Sequence, residues 1–291
     1  MEEVLPNIYL VDTLSYVEKG TISSYILNFD TGVIIDPGTA KGASILLDEI
    51  RRIRLEDKIK YIAPTHIHID HGGGAATLAK ALNAKILVHP KGAKHVINPE
   101  KLWIASKQVL GELAEIYGKP ESIEENKVIV VDDLQKFDLG DDILVVYHAP
   151  GHAPHMLAYY LQRTRILFPA DAVGMYYNGM VFPLTPPPFD RDLAINTLKR
   201  LLELEVKYIG FTHFGLVEGN WTIKKSYEKI ILWSKIAEEV ANENKDLNEF
   251  IKRLCDADPE VKELIKGFSE KPIMQGFIYT AASGLLSWAK R

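Results

Sequence analysis

Cysteine is almost missing from this chain. Cys255 stands alone, which excludes an internal disulfide and any metal site built from several thiolates. It sits in a charged, helical stretch with no base motif beside it and reads as a small packing residue. Long apolar runs are missing as well: no window approaches the ~20 residues that a membrane-spanning helix needs. The opening Met1-Glu2-Glu3-Val4-Leu5-Pro6 has neither the basic head nor the apolar core of a secretory signal. The expectation is a cytoplasmic protein with no membrane partner. Charge of one sign is lacking too. Lys and Arg total 34 against 39 Asp and Glu, a net charge of -5, so there is no overall basic field to hold nucleic acid. Glutamine is scarce beside abundant Ile, Lys and Glu, a balance that fits a thermophile.

What is present is an alternation of short strands and helices. Residues 7–12, 21–28 and 33–36 carry β-branched and aromatic side chains broken by Gly20 and by Asp30-Thr31-Gly32, the pattern of strands joined by tight turns. A helix is expected over 43–53, where Ile45, Leu46, Ile50 and Ile53 recur near helical spacing. A strand at 59–64, a helix at 73–82 and a strand at 85–88 follow. The stretch 99–117 is expected to be helical, followed by strands at 127–131, 143–148, 156–161 and 166–169. Pro183-Leu-Thr-Pro-Pro-Pro188 can form neither a regular helix nor a central strand and reads as an extended loop. A helix at 192–204 leads to a strand at 208–211. Beyond Trp221 the pattern is helical, with two or three helices interrupted near Asp258-Pro259 and Lys271-Pro272. Such alternation predicts an α/β fold.

Chemistry concentrates in Thr65-His66-Ile-His68-Ile-Asp70-His71, followed at once by Gly72-Gly73-Gly74. If the strand continues into this run, His66 and His68 point the same way and can share one metal ion. The bend that follows can aim Asp70 and His71 at a second point nearby, with the glycines easing the turn. Three further ligand-type residues each lie just past a strand end: His152 in Pro150-Gly151-His152, Asp171 in Pro169-Ala170-Asp171, and His213 in Thr212-His213. Strand-end loops are where rigid scaffolds hold reactive groups. The seven together predict one or two metal ions. Of the other histidines, His155 is a candidate for a substrate contact, His148 for packing or capping, His89 for a structural role and His95 for a solvated position on a Lys-rich helix. Tyr176, Tyr177 and Phe182 either wall a substrate pocket or pack under the proline-rich loop.

From Ile34-Ile35-Asp36-Pro37-Gly38 through His-x-His-x-Asp-His, Pro-Gly-His152 and Ala-Asp171 to Thr-His213, the chain resembles the metallo-β-lactamase superfamily. The resemblance implies a four-layered αββα sandwich with a dinuclear metal centre at one edge. The ligand-bearing pattern ends by about Gly215 and the rest is helical, so a catalytic domain is expected at 1–218 and a C-terminal helical extension at 219–291, serving as a cap or as a dimerisation element that would make a homodimer. The resemblance also implies that His66, His68 and His152 bind one metal, that Asp70, His71 and His213 bind the other, and that Asp171 bridges them. Asp36 would hold the His66-x-His68 loop without binding metal.

Two divalent ions about 3.5–4 Å apart share a water and lower its pKa toward neutrality, and can polarise a carbonyl. Zn2+ is the expected metal, with Fe or Mn also suited to imidazole and carboxylate. Asp70 is a candidate catalytic proton relay, though a weak base while it is a ligand. The function this implies is a hydrolase in which metal-bound hydroxide attacks the carbonyl of a small ester, thioester or lactone. True β-lactamases carry a small residue or cysteine where this chain has Asp171, which argues against antibiotic hydrolysis. Acyl-homoserine lactonases carry a tyrosine three positions after that aspartate, where Gly174 stands here. Hydroxyacylglutathione hydrolases share all the ligands and a helical C-terminal part, but their basic glutathione-binding cluster is not evident. The alternatives are a mono-iron oxidoreductase similar to persulfide dioxygenases, and a phosphodiesterase or nuclease; the acidic balance and the lack of an RNA-binding arm argue against the nuclease.

Overall fold

The computed structural model describes residues 1–15 and 17–291. Two sheets face each other. The first has seven strands in sequential order: β1 (Glu2–Leu5), β2 (Ile8–Asp12), β3 (Ser23–Leu27), β4 (Gly32–Ile35), β5 (Ile59–Ala63), β6 (Lys85–Val88) and β7 (Val128–Val130). β1 to β4 pair antiparallel and β4 to β7 pair parallel. The second sheet draws on β8 (Lys136–Asp138), β9 (Ile143–His148), β10 (Leu157–Leu161), β11 (Ile166–Phe168), β14 (Tyr208–Phe211) and β15 (Gly215–Glu218), ordered β15-β14-β11-β10-β9-β8. A separate hairpin joins β12 (Met175–Tyr177) to β13 (Met180–Phe182).

The strands alternate between two apolar layers. Val33 and Ile35 of β4, Leu144 and Val146 of β9, and Leu157, Tyr159 and Leu161 of β10 meet between the sheets. Ile34 faces the other way, onto α1 (Ala43–Arg52) and α2 (Ala75–Ala81). Val145, Ala158 and Tyr160 face α6 (Arg191–Leu202) and the C-terminal helices. Helices therefore cover both outer faces, and the fold is the αββα sandwich. Central strands buried on both sides read as continuous apolar runs, which is why these strands show little alternation in sequence.

The stretch expected to be helical over 99–117 forms two helices. Gly111 takes a positive φ of 57° and divides α4 (Glu100–Leu110) from α5 (Glu112–Tyr117), a conformation glycine adopts at little cost. A short α3 (Ala93–Ile97) precedes them. The tail holds four helices rather than two or three: α7 (Trp221–Asn242), α8 (Leu247–Ala257), α9 (Pro259–Gly267) and α10 (Pro272–Ala289). The breaks at Asp258-Pro259 and Lys271-Pro272 are there, with proline in the first turn of each new helix, where its missing N–H is no loss. An additional break is marked by Asp246, whose side chain caps α8 by accepting from Glu249 N at 3.0 Å. Among the described residues no helix is long and apolar enough to cross a membrane.

Candidate metal centre

The seven ligand-type residues converge at one edge of the sandwich, and the route differs from the one the strand pattern suggests. β5 ends at Ala63, so His66, His68, Asp70 and His71 lie on a compact turn beyond it. His71 N and Gly72 N both donate to His68 O, at 3.0 and 2.8 Å. The glycines are required by close approach: a Cβ on Gly73 would lie 2.2 Å from Ile69 O. The turn brings His66 and His68 together through different ring atoms, with His66 Nε2 lying 2.9 Å from His68 Nδ1. His152 Nε2 is 3.2 Å from the same His68 Nδ1, and His71 Nε2 is 3.1 Å from His213 Nε2.

In four of the five rings the outward nitrogen already has a partner. His66 Nδ1 meets Thr65 Oγ1 at 3.2 Å, His71 Nδ1 meets Asp36 Oδ2 at 2.9 Å, His152 Nδ1 meets Leu184 O at 2.9 Å, and His213 Nδ1 meets Thr21 O at 2.8 Å. Facing a carboxylate or carbonyl oxygen, Nδ1 of His71, His152 and His213 carries the proton in the neutral ring, and His66 Nδ1 can donate to the Thr65 hydroxyl, whose own proton goes to Asp36; each arrangement leaves Nε2 as an inward lone pair. Asp36 organises this arrangement. Fully buried, it accepts from Thr65 N at 2.6 Å, Thr65 Oγ1 at 2.8 Å and Thr212 Oγ1 at 2.5 Å as well as from His71. It thus ties the first histidine turn to the His213 loop. Thr65 and Thr212 went unread in the sequence, although each immediately precedes a clustered histidine, and that repeated Thr-His pair was the available signal. Ser23 Oγ and Tyr25 Oη donate to Phe211 O at 2.6 and 2.9 Å and fasten the His213 loop to the first sheet.

Asp171 stands between the two groups. Its Oδ2 lies 3.3 Å from His152 Nε2 and 3.9 Å from His66 Nε2; its Oδ1 lies 3.4 Å from His71 Nε2 and 3.7 Å from His213 Nε2. Oδ1 is buried without a hydrogen-bond donor. Asp70 Oδ2 is 3.7 Å from His213 Nε2 and 4.0 Å from His71 Nε2. Three overlapping groups could each hold a metal ion: His66, His68 and His152; His66, His71 and Asp171; Asp70, His71 and His213.

Converging lone pairs and a donorless carboxylate oxygen call for a cation. Burial pushes His66 and His68 well below the ordinary imidazole range, and the neighbouring rings push them further, so both are neutral. Burial would lower His71 as well, but Asp171, Asp36 and Asp70 together hold it well above its ordinary value. Without a metal, the cluster keeps a proton on His71. Asp171, despite burial, is held far below the usual carboxylate range by His71, His152 and His213. The residues present fit a metal centre on their donor chemistry.

The other histidines divide. His155 borders the site, its ring 6.2 Å from that of His66 and nearly parallel to it; burial and then His152 lower it to about 4. His148 N donates to Asp133 Oδ1 at 2.8 Å, its ring meets Val131 O at 3.0 Å, and His89 is buried with Nδ1 accepting from Lys91 N. His95 is half-buried on the wall of a cleft rather than solvated. Tyr176 stacks on Phe211, Tyr177 meets Phe268, and Phe182 packs on Trp233. All three serve packing, since none lines the cleft. That cleft, about 410 Å³, has His68, Asp70, His152, Asp171 and His213 at its base.

Residues 17–213 match the metallo-beta-lactamase superfamily. The chain belongs to this family, whose members are generally hydrolytic enzymes. A metallo-beta-lactamase fold-containing protein of Sulfurisphaera tokodaii is 36% identical over 189 residues, 64% of this chain and 69% of that protein. A solved archaeal metallo-beta-lactamase superfamily protein from Sulfolobus tokodaii superposes with a TM-score of 0.68 at 31% identity, over 77% of this chain and 85% of that one. A Bos taurus protein named acyl-coenzyme A thioesterase is 24% identical over 207 residues, 68% of this chain and 67% of its own length.

Proposed function

We propose that this protein is a dinuclear metal-dependent hydrolase that cleaves a small ester, thioester or lactone. The observation that carries the reading is the division of Asp171: one oxygen faces His66 and His152, the other faces His71 and His213. On this reading His66, His68 and His152 hold one ion, Asp70, His71 and His213 hold the other, and Asp171 touches both. When bound, two divalent ions supply an activated water and polarise the scissile carbonyl. The chain's own groups do the rest. Asp36, Leu184 O and Thr21 O keep His71, His152 and His213 in the tautomer that presents Nε2 inward. Asp70, whose side chain is 15% exposed while the histidines beside it are sealed, faces the cleft, where it can take a proton from the attacking water and relay it to a departing alkoxide or thiolate. The name of the bovine relative supports thioesters as a substrate class.

Metal analysis of protein purified without added metal or chelator is the first test. Two zinc ions per chain, followed by cleavage of esters, thioesters or lactones that stops on chelation and returns with zinc, is the expected result. A single iron with sulfur-dependent oxygen uptake overturns the reading in favour of an oxidoreductase.

A further inference from the structure

We propose that the substrate carries an unbranched apolar chain of medium length beside its scissile carbonyl, seated between α4 and α10; the inference rests on the hydrolase reading above. The argument begins with α4. Leu102, Ala105, Ser106, Val109 and Leu110 recur at i, i+3, i+4, i+7 and i+8, the stripe that a surface helix ordinarily turns onto a core. Here all five line the open cleft. Trp103 is the one buried side chain of α4, and Val109 remains 69% exposed. Leu102 and Leu110 also pack in part on the cluster around Trp103, so Ala105 and Val109 are the members left toward open space, at a cost in water that an apolar ligand would remove.

The facing wall has the same character. Phe277 and Ala281 of α10 and the prolines at 186–188 border the cleft. The Phe277 ring lies 4.8 Å from the His213 ring, so apolar surface extends to the reacting groups themselves. Lys101 is the only permanent cation among the described lining residues, too little to hold a phosphate-rich substrate along this wall. A volume of about 410 Å³ falls in the range of small-molecule sites. An apolar chain with its carbonyl at the histidines and its end toward Val109 matches both walls. It can belong to the acid or to the alcohol of the ester.

The test uses the zinc-loaded full chain with two series: p-nitrophenyl esters from acetate to decanoate, and alkyl acetates from ethyl to octyl. In one series kcat/KM should rise about 3- to 4-fold per methylene, the equivalent of ~0.8 kcal/mol of burial, and then level off. The series that rises assigns the chain to acid or alcohol. Ala105→Phe and Val109→Asp, both at exposed positions, should each lower the long-to-short ratio tenfold or more. Ile104→Asp, on the same helix but outside the cleft and 54% exposed, should leave the ratio as it is. Cleavage of the acetates with no chain-length dependence in either series overturns the chain and leaves the hydrolase standing. Absence of cleavage of any ester, thioester or lactone by protein holding two zinc ions overturns both.

Discussion

Asp36→Asn exchanges one oxygen for nitrogen and keeps the side chain's shape, so its effect isolates the hydrogen-bond logic of the site. The wild-type carboxylate receives Thr65 N–H, the Thr65 and Thr212 hydroxyls, and His71 Nδ1–H. An amide offers one oxygen. With that oxygen kept toward Thr65, the new NH2 faces Thr212 and His71. The hydroxyl can rotate and accept, but the neutral form of the imidazole, the form that binds metal, must move its proton to Nε2. That atom points at His213 Nε2, 3.1 Å away, and at Asp171 Oδ1, 3.4 Å away, so the ring loses the lone pair proposed to bind metal. The opposite orientation sets two N–H groups against each other at Thr65. Either way one charge-assisted hydrogen bond is lost, about 1.5–3 kcal/mol in the metal-free protein. Loss of such a supporting partner typically weakens metal binding 10- to 100-fold, equivalent to about 1.4–2.7 kcal/mol. Urea unfolding of the metal-free variant reads the first effect, and competition with a chromogenic chelator reads the second. The expected outcome is one zinc released early and one retained, since His66, His68 and His152 do not touch Asp36. A variant with wild-type unfolding and two zinc ions at wild-type affinity refutes the reasoning.

Because carboxylates hold His71 protonated in the metal-free cluster, metal uptake should expel a proton and affinity should fall as pH falls. Calorimetry at pH 7 in two buffers of different ionisation enthalpy should show at least one proton released per chain. Lys229 is buried on α7, with Nζ 2.7 Å from Asp258 Oδ2 and 2.9 Å from Glu260 Oε2; Lys229→Met should cost about 3 kcal/mol, as loss of one partner from a buried ion pair does, read as a lower denaturation midpoint. Burial raises Glu260, but Lys229 and Lys225 hold it below its ordinary 4.5. The stability it supplies is therefore present at neutral pH and lost as pH falls below that value, and Lys229→Met should flatten this acid limb. Gly284 lies where α10 presses on the proline-rich loop, and a Cβ there would sit 2.0 Å from Thr185 O. Gly284→Ala should destabilise by about 1–3 kcal/mol and lower Tm.

The sequence by itself singled out the seven ligand-type residues that the structure clusters. Four ligand-type residues within six positions, and Asp171 and His213 just past strand ends, were legible because metal chemistry restricts the residue types and because strand ends leave side chains exposed to one another. The alternation of short strands with helices likewise announced an α/β fold, and the family resemblance implied the sandwich. Tertiary structure alone decided how the donors meet. His66 and His68 converge through different ring nitrogens because a turn carries them, not a strand, and periodicity says nothing about a turn. The hairpin at Met175–Phe182 hid in a stretch whose aromatics suited a pocket equally well; they pack instead because α7 and the loop after α9 bring Trp233 and Phe268 to them. The apolar stripe of α4 reads in sequence as a core-facing surface, and only the placement of α10 across from it leaves a cleft between. Local spacing encodes what neighbouring residues can do, whereas the cleft is formed by segments more than a hundred residues apart, whose meeting depends on the packing of the whole sandwich.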